Sequence, residues 1–281
     1  MDQRSGLQAN PRRRPELTDE LRSQLAHLGR SDWRGRAGEP VPWELWTMLY
    51  ARWGKRVTLI DLYQLEACSR GVSVADLPQP FRDRLAERVL RQQWPGYSRG
   101  STARRVREPV VILPYDRNWP GRYQGWRARV LDVLGDTAIR VEHVGSTAVP
   151  GLAAKPVIDI QVSVHRLDDE AAYVPQLGCI RVPLATRDGL HRYFCPPPED
   201  PRAVQIHVCQ VASEWERDHL LFRDYLRVEP SERRRYGALK REMARLWGKD
   251  RLAYTDAKSS YILDGMTRAR AWAETSGWRV G

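Results

Sequence analysis

The sequence has few cysteines, no paired cysteines and no long apolar run, and each shortage excludes something. Only four cysteines occur in 281 residues, at positions 68, 179, 195 and 209. None forms a Cys-x-x-Cys pair, and four are too few to staple a chain of this length. Reduced thiols in a cytoplasm are therefore expected. No apolar run reaches the ~20 residues that a membrane span needs. The opening MDQRSGLQANPRRRPEL lacks the apolar centre of a secretory signal. No membrane partner is expected, and no internal repeat is visible.

What is present fits a folded protein. Hydrophobic residues make up 42% and charged residues 29%, outside the range of chains too polar to bury a core. The length allows one large domain or two ordinary ones, with a core that needs no metal or cross-link. The net charge is +11, and residues 1–108 hold 20 Lys and Arg against 13 Asp and Glu. A basic excess favours phosphate-bearing partners, whether nucleotide, nucleic acid or anionic surface. Solvated faces of an arginine-rich composition would give the same total.

Residues 1–91 read as a small helical domain. LTDELRSQLAHLG opens on Thr18 and ends at Gly29, with Leu21, Leu25 and Leu28 on one face. PWELWTMLYARWG spaces Trp43, Trp46, Tyr50 and Trp53 as a helical stripe. A helix is expected from Thr58 to Gly71, and another carrying Phe81, Leu85 and Val89. The two helices around Gly71 and Ser73 could form a helix-turn-helix, which makes nucleic acid a possible partner of residues 1–108. Residues 92–108 lack periodicity and read as a linker.

From residue 109 to about 276 the pattern changes to strands with interspersed helices, then a helical tail. The expected fold class is α/β (α+β), a mixed sheet with flanking helices. PVVILPYD, AIRVEHVG and PVIDIQVSV read as strands, and NWPGRYQGWRARVLDVLG as a helix capped by Asn118 and stopped by Gly135. LHRYFC and AVQIHVCQV read as a strand pair. SEWERDHLLFRDYLR opens with a capping box from Ser213 to Glu216.

The densest chemistry lies in VEHVGSTAVPGLAAKPVIDIQVSV, residues 141–164. Glycine after a strand lets the chain turn tightly and lets a phosphate approach. Ser146 and the amides after it, including that of Thr147, can donate to phosphate oxygens, more so at a helix start. Lys155 can add a point charge for a polyphosphate. Asp159 interrupts an apolar strand and shares a face with Gln161, while Ile158 and Ile160 point the other way. A carboxylate there can hold Mg²⁺ or pair with a cation. His143 could orient the loop or be a core histidine. His191, Cys195, His207 and Cys209 fall on the strand pair with the donor types of a zinc site, but without its close cysteine spacing.

This block resembles the nucleotidyltransferase superfamily with the DNA polymerase β-like fold. Val144-Gly145-Ser146, twelve residues, then Asp159-Ile160-Gln161-Val162 follow its signature, except that Gln161 replaces the second acid. More narrowly, EHVGSTAVPGLAAKPVIDI resembles the defining block of the GrpB family. Tyr115 and Trp119, His207 in QIHVCQ, YGALK with Lys240, and YTDAKSSYI with Lys258 resemble further family motifs, over roughly 110–270. The resemblance implies Gly145 and Ser146 at a nucleotide phosphate and Asp159 at a metal. It implies His207 as metal ligand or general base, and Lys240 and Lys258 as phosphate contacts. The implied activity is transfer of a nucleotidyl group from NTP·Mg²⁺ to an unknown acceptor. A non-catalytic module on the same fold is the alternative that Gln161 favours. The domain also occurs behind dephospho-CoA kinase, but no Gly-x-x-x-x-Gly-Lys-Ser/Thr loop is present here.

Overall fold

The computed structural model describes residues 59–70, 72–93 and 109–281. The helices read at 18–29 and 43–54, and most of the linker, lie outside the described residues. The chain divides into two compact units: Met1–Leu90 with Leu252–Ser260, and Arg91–Arg251 with Tyr261–Gly281.

In the first unit, helix α1 spans Leu59–Arg70 and helix α2 spans Gln79–Gln93, with a short 3-10 turn at Val74–Asp76 between them. Leu59, Leu62, Tyr63, Leu65, Val74, Leu77 and Leu85 are buried. The Arg70 guanidinium lies 4.3 Å above the Phe81 ring, so the charge caps an aromatic face. Asp256, from the later segment, accepts the Leu59 amide. That bond satisfies one of the amides a helix start leaves unpaired.

The second unit is built on a five-stranded sheet. Helix α3 (Trp119–Leu134) leads into β1 (Arg140–Val144) and β2 (Ile158–Val164). Helix α4 (Val174–Cys179), β3 (Leu184–Arg187) and β4 (His191–Phe194) follow before β5 (Val204–Gln210). The strand order is β1-β2-β5-β4-β3. Only β2 and β5 run parallel; the other three pairs are antiparallel. Helices α5 (Glu214–Val228), α6 (Pro230–Trp247) and most of α8 (Ser259–Ser276) belong to this unit, while α7 (Arg251–Asp256) falls in the first from Leu252 onward. The observed fold is α+β with a mixed sheet, as the strand–helix pattern implied.

Alternation along the strands gives the sheet two unlike faces. Ile158, Ile160, Val162, Ile206, Val208 and Phe194 form one core with Trp119, Tyr123 and Val130 of α3. The other face carries Glu142, Asp159, Gln161, Ser163, Gln205, His207, Cys209 and Tyr193, and α5 contacts its β1 and β5 strands.

Three local expectations differ from the structure. PVVILPYD forms no strand; Leu113 makes one isolated bridge with Ala154. Pro109 and Pro114 bracket the segment and supply no amide hydrogens to a ladder. Asn118 takes the first position before α3, but its side chain makes no cap bond. At α5, the Ser213 hydroxyl accepts the Glu216 amide at 3.2 Å, yet the Glu216 carboxylate accepts from Ala212 N rather than closing the box on Ser213.

Candidate functional site

The site grows from the turn after β1. Gly145 has φ +69, a conformation that costs a side-chain-bearing residue energy. Space demands glycine as well. A Cβ there would fall 2.9 Å from the Asp159 Cβ and closer still to its Oδ2. The turn therefore seats its backbone directly against the Asp159 carboxylate. Ser146 follows, partly exposed, at the start of a 3-10 turn, Ser146–Ala148. Three residues are too few to build the aligned dipoles of a helix start.

The loop is anchored on both sides. Val149 and Leu152 are buried with Leu226 of α5 and Tyr236 of α6. Arg227 Nε donates to Ala148 O at 3.0 Å. Arg223 donates to Glu142 Oε2 at 2.6 Å and to His143 O at 3.1 Å. Thr147 is 1% exposed. Its hydroxyl donates to Val157 O at 3.2 Å and meets His143 Nε2 at 2.9 Å. That donation leaves the hydroxyl oxygen to accept, which assigns the imidazole proton to Nε2. Thr147 is thus occupied as a loop brace. His143 stacks on Tyr123 at 4.7 Å. Burial, then the charges of Arg227 and Arg223, push its pKa down to about 4, so the ring is neutral at physiological pH.

A polar network surrounds Asp159. Gln205 is its register partner on β5. In the amide orientation its neighbours demand, Gln205 donates to Asp159 Oδ1 at 2.8 Å and accepts from Arg202 at 2.7 Å and Tyr193 Oη at 3.0 Å. Arg202 also donates to Tyr193 Oη at 2.6 Å. Lys155 sits in the loop before β2. Burial pushes its pKa down to about 8, Asp159 pulls it up, and the cations Arg251 and Arg202 push it down further. Arg202 is linked to Asp159 through Gln205, and Lys155 lies within range of the Asp159 charge.

Of the expected site residues, the structure sets Gly145 against Asp159, with Ser146 next in the turn and Lys155 within range of the Asp159 charge. His207 shares the Asp159 face but pairs with Gln161, one pleat repeat away. Part of the residue reaches solvent, while the ring sits among Tyr193 at 5.2 Å, Trp215 at 5.5 Å and His191 at 5.6 Å. Enclosure, then His191 and His219, hold it well below the usual imidazole range. Lys240 is 2% exposed, its ammonium 4.7 Å from the Tyr236 ring. Lys258 belongs to the first unit, its ammonium 4.3 Å from the Tyr254 ring.

Sequence reasoning missed Gln205, Arg202 and Tyr193. A signal existed for Gln205: a parallel β5 beside β2 puts it opposite Asp159. Arg202 sits outside any strand pattern and was not legible.

The donor set does not fit a pair of carboxylate-held magnesium ions. Asp159 supplies one carboxylate. Gln161, at the second acid position, is fully buried, and neither end of its amide has a hydrogen-bond partner. Among the described residues, no group of three or more His, Cys, Asp or Glu side chains could hold a metal ion. That statement covers the His191, Cys195, His207 and Cys209 set as well.

The architecture and the glycine–aspartate contact define a mixed-sheet α+β domain with a polar site at the end of its central strands. The family described as "GrpB protein" matches residues 109–268, and the chain belongs to that family. A UPF0157 protein of Halalkalibacterium halodurans is 40% identical over 165 residues, covering 58% of this chain and 83% of that protein. The crystal structure of the conserved protein GrpB from Enterococcus faecalis superimposes with a TM-score of 0.53 at 29% identity, covering 58% of this chain and 99% of that one. A dephospho-CoA kinase of Mycolicibacterium paratuberculosis is 32% identical over 233 residues, covering 74% of this chain and 56% of that enzyme. The kinase likeness therefore extends into residues before 109. No helix among the described residues is long and apolar enough to cross a membrane.

Proposed function

We propose that the domain binds a nucleotide, with its phosphates received by the Gly145–Ser146 turn and the cations beside Asp159. The observation that carries this reading is the exposed turn at Gly145, whose backbone lies against the Asp159 carboxylate, with Arg202 linked to that carboxylate through Gln205. An incoming phosphate would meet the charges of Lys155 and Arg202 there. The exposed, Cβ-less turn at Gly145 lets phosphate oxygens reach the Ser146 hydroxyl and nearby amides. Binding is the primary act in this reading. The partly exposed Ser146 is the side chain that orients the phosphate.

Transfer of a nucleotidyl group to an unidentified acceptor is the second reading. The contact of Gly145 with Asp159 supports it, because it brings a phosphate and a carboxylate to one spot. Mg²⁺ would then arrive with the NTP and rest on Asp159, with the phosphates as its other oxygen ligands.

A thermal-shift titration tests the binding. ATP, GTP, CTP, UTP, CoA and dephospho-CoA are added to the full chain and to Lys155→Met. A ligand that binds the folded state raises Tm by mass action. A rise in the wild type that is lost in Lys155→Met supports the reading; no rise with any nucleotide ends it. Label moving from an α-labelled NTP onto an acceptor in cell extract separates transfer from binding.

A further inference from the structure

Helix α6 and the two residues after it carry an unbalanced charge. Residues 230–249 hold seven Lys and Arg against two acids, Glu232 and Glu242, whereas the adjoining α5 holds three Arg against four acids. An arginine-rich composition spread evenly along the chain would not set two neighbouring helices apart in this way. Of the two acids, Glu232 is turned inward: it is 3% exposed and accepts from Tyr261 at 3.0 Å, Arg268 at 2.8 Å and Arg235 at 3.1 Å. Glu242 is taken by Arg245 at 2.7 Å. Arg234, Arg241, Arg245 and Lys249 are all exposed, and spacings of seven and four residues put them on one face. Among the described residues, Arg234, Arg241 and Lys249 make no ion pair or side-chain hydrogen bond. The row is about 22 Å long at 1.5 Å per residue. Like charges four residues apart repel, a cost that an anionic partner removes.

The rest of the face selects the partner. No large apolar residue of α6 is exposed, so the face lacks what a helix needs to seat in a lipid interface. Its aromatic residues, Tyr236 and Trp247, are buried and offer no ring on which an unpaired base could stack. Phosphates on the outside of a duplex suit it, since each strand presents one charge about every 3.4 Å. We propose that the outer face of α6 docks on the phosphate backbone of a nucleic-acid duplex through Arg234, Arg241, Arg245 and Lys249. Contact with phosphate alone carries no sequence preference. Val149 and Leu152 of the loop after Gly145 pack with Tyr236 of the same helix, so a docked duplex lies along the element that braces that loop. The docking does not depend on nucleotide binding at the loop.

Fluorescence anisotropy of a labelled DNA duplex of about 20 base pairs, titrated with the full chain from about 50 to 200 mM salt, tests the docking. The wild type is compared with the triple variant Arg234→Gln, Arg241→Gln and Lys249→Gln. These side chains are exposed and glutamine is a good helix former, so the fold is kept, as circular dichroism checks. The wild type is expected to bind with a log–log salt slope of about −3 or steeper. The triple variant should lose roughly one unit of slope per residue removed, and about tenfold or more in affinity at low salt. Arg234→Lys with Arg241→Lys, which keeps the charge, should bind as the wild type does. Residues 1–108 are basic as well, so the variant and not the wild type locates the contact. An unchanged slope in the triple variant overturns the proposal, as does absence of wild-type binding at the lowest salt. Tighter binding to a single strand of the same sequence, or to phosphatidylserine vesicles at equal salt, overturns it in favour of that partner.

Discussion

The two faces of the central sheet are buried by opposite means. Under α3, Ile160, Val162, Ile206 and Val208 are fully enclosed within the apolar core. On the face toward α5, Gln161, Ser163 and Cys209 are enclosed just as completely. Burial of carbon gains from leaving water at no polar cost. Burial of polar atoms costs free energy unless each finds a partner. Ser163 finds one, donating to Glu216 at 2.5 Å, with Arg140 3.5 Å from the same carboxylate. Gln161 does not. The apolar face is therefore the source of stability. The α5 face mixes satisfied groups that cost little with an unsatisfied amide that costs more, as binding sites often do.

That contrast can be broken from either side. The largest effect is expected on the apolar face: Ile160→Ala should lower unfolding free energy by about 4 kcal/mol through lost burial and a cavity, read by urea denaturation. A result under about 1 kcal/mol would mean that the α3 core is not close-packed. Next is Glu216→Ala, which strands the Ser163 hydroxyl, the Ala212 amide and the Arg140 charge. A loss of about 3 kcal/mol is expected for breaking a buried charged network. Ser163→Ala together with Glu216→Ala should cost less than the sum of the two singles.

His143 tests the junction between loop and core. Its pKa falls from 6.5 to about 4 on folding, first through burial and then through Arg227 and Arg223. The unfolded chain thus binds the proton more readily, so stability is complete above pH 6.5 and is lost as pH falls toward 4. At 1.36 kcal/mol per unit the loss amounts to about 3 kcal/mol. His143→Phe keeps the stack on Tyr123 and should flatten this part of the pH profile in thermal melts. An unchanged profile would assign the acid sensitivity to other groups, among them His207. The smallest effect has the opposite sign. Gln161→Met replaces an unpartnered buried amide by an apolar chain of similar shape and should stabilise by about 1 kcal/mol. Destabilisation would reveal a partner for the amide.

The sequence carried the site's backbone better than its charge environment. VEHVGSTAVPGLAAKPVIDIQVSV encodes β1, the glycine turn and β2 through β-branched runs and one punctuating glycine, signals local in sequence. The end of α3 at Gly135 and the Ser213 cap of α5 were local as well. Strand β3 was not legible: LATR is four residues long and partly exposed, with too little alternation to mark a strand. PVVILPYD erred in the other direction, because apolar content alone does not provide a ladder partner. Arg202 joins Asp159 through Gln205 by tertiary placement, and no residue spacing reports that. Lys240 and Lys258 matched tail motifs by sequence, yet each is paired with an aromatic ring. A motif supplies residue identity but not the direction a side chain takes.

The lone parallel pair has a consequence for how the chain folds. Ser163 and Cys209 are register partners 46 residues apart. The chain between them must first place α4 and then the β3–β4 hairpin. Closing such a loop costs more entropy than the short connection between β3 and β4, and pairings distant in sequence form more slowly. The hairpin therefore has a kinetic head start, and the β2–β5 seam that brings Gln205 to Asp159 closes late. During synthesis, β1 and β2 leave the ribosome well before β5. A truncated nascent chain ending near residue 200 would hold the glycine turn and the aspartate but expose the unpaired edge of β2, a template for association until β5 arrives.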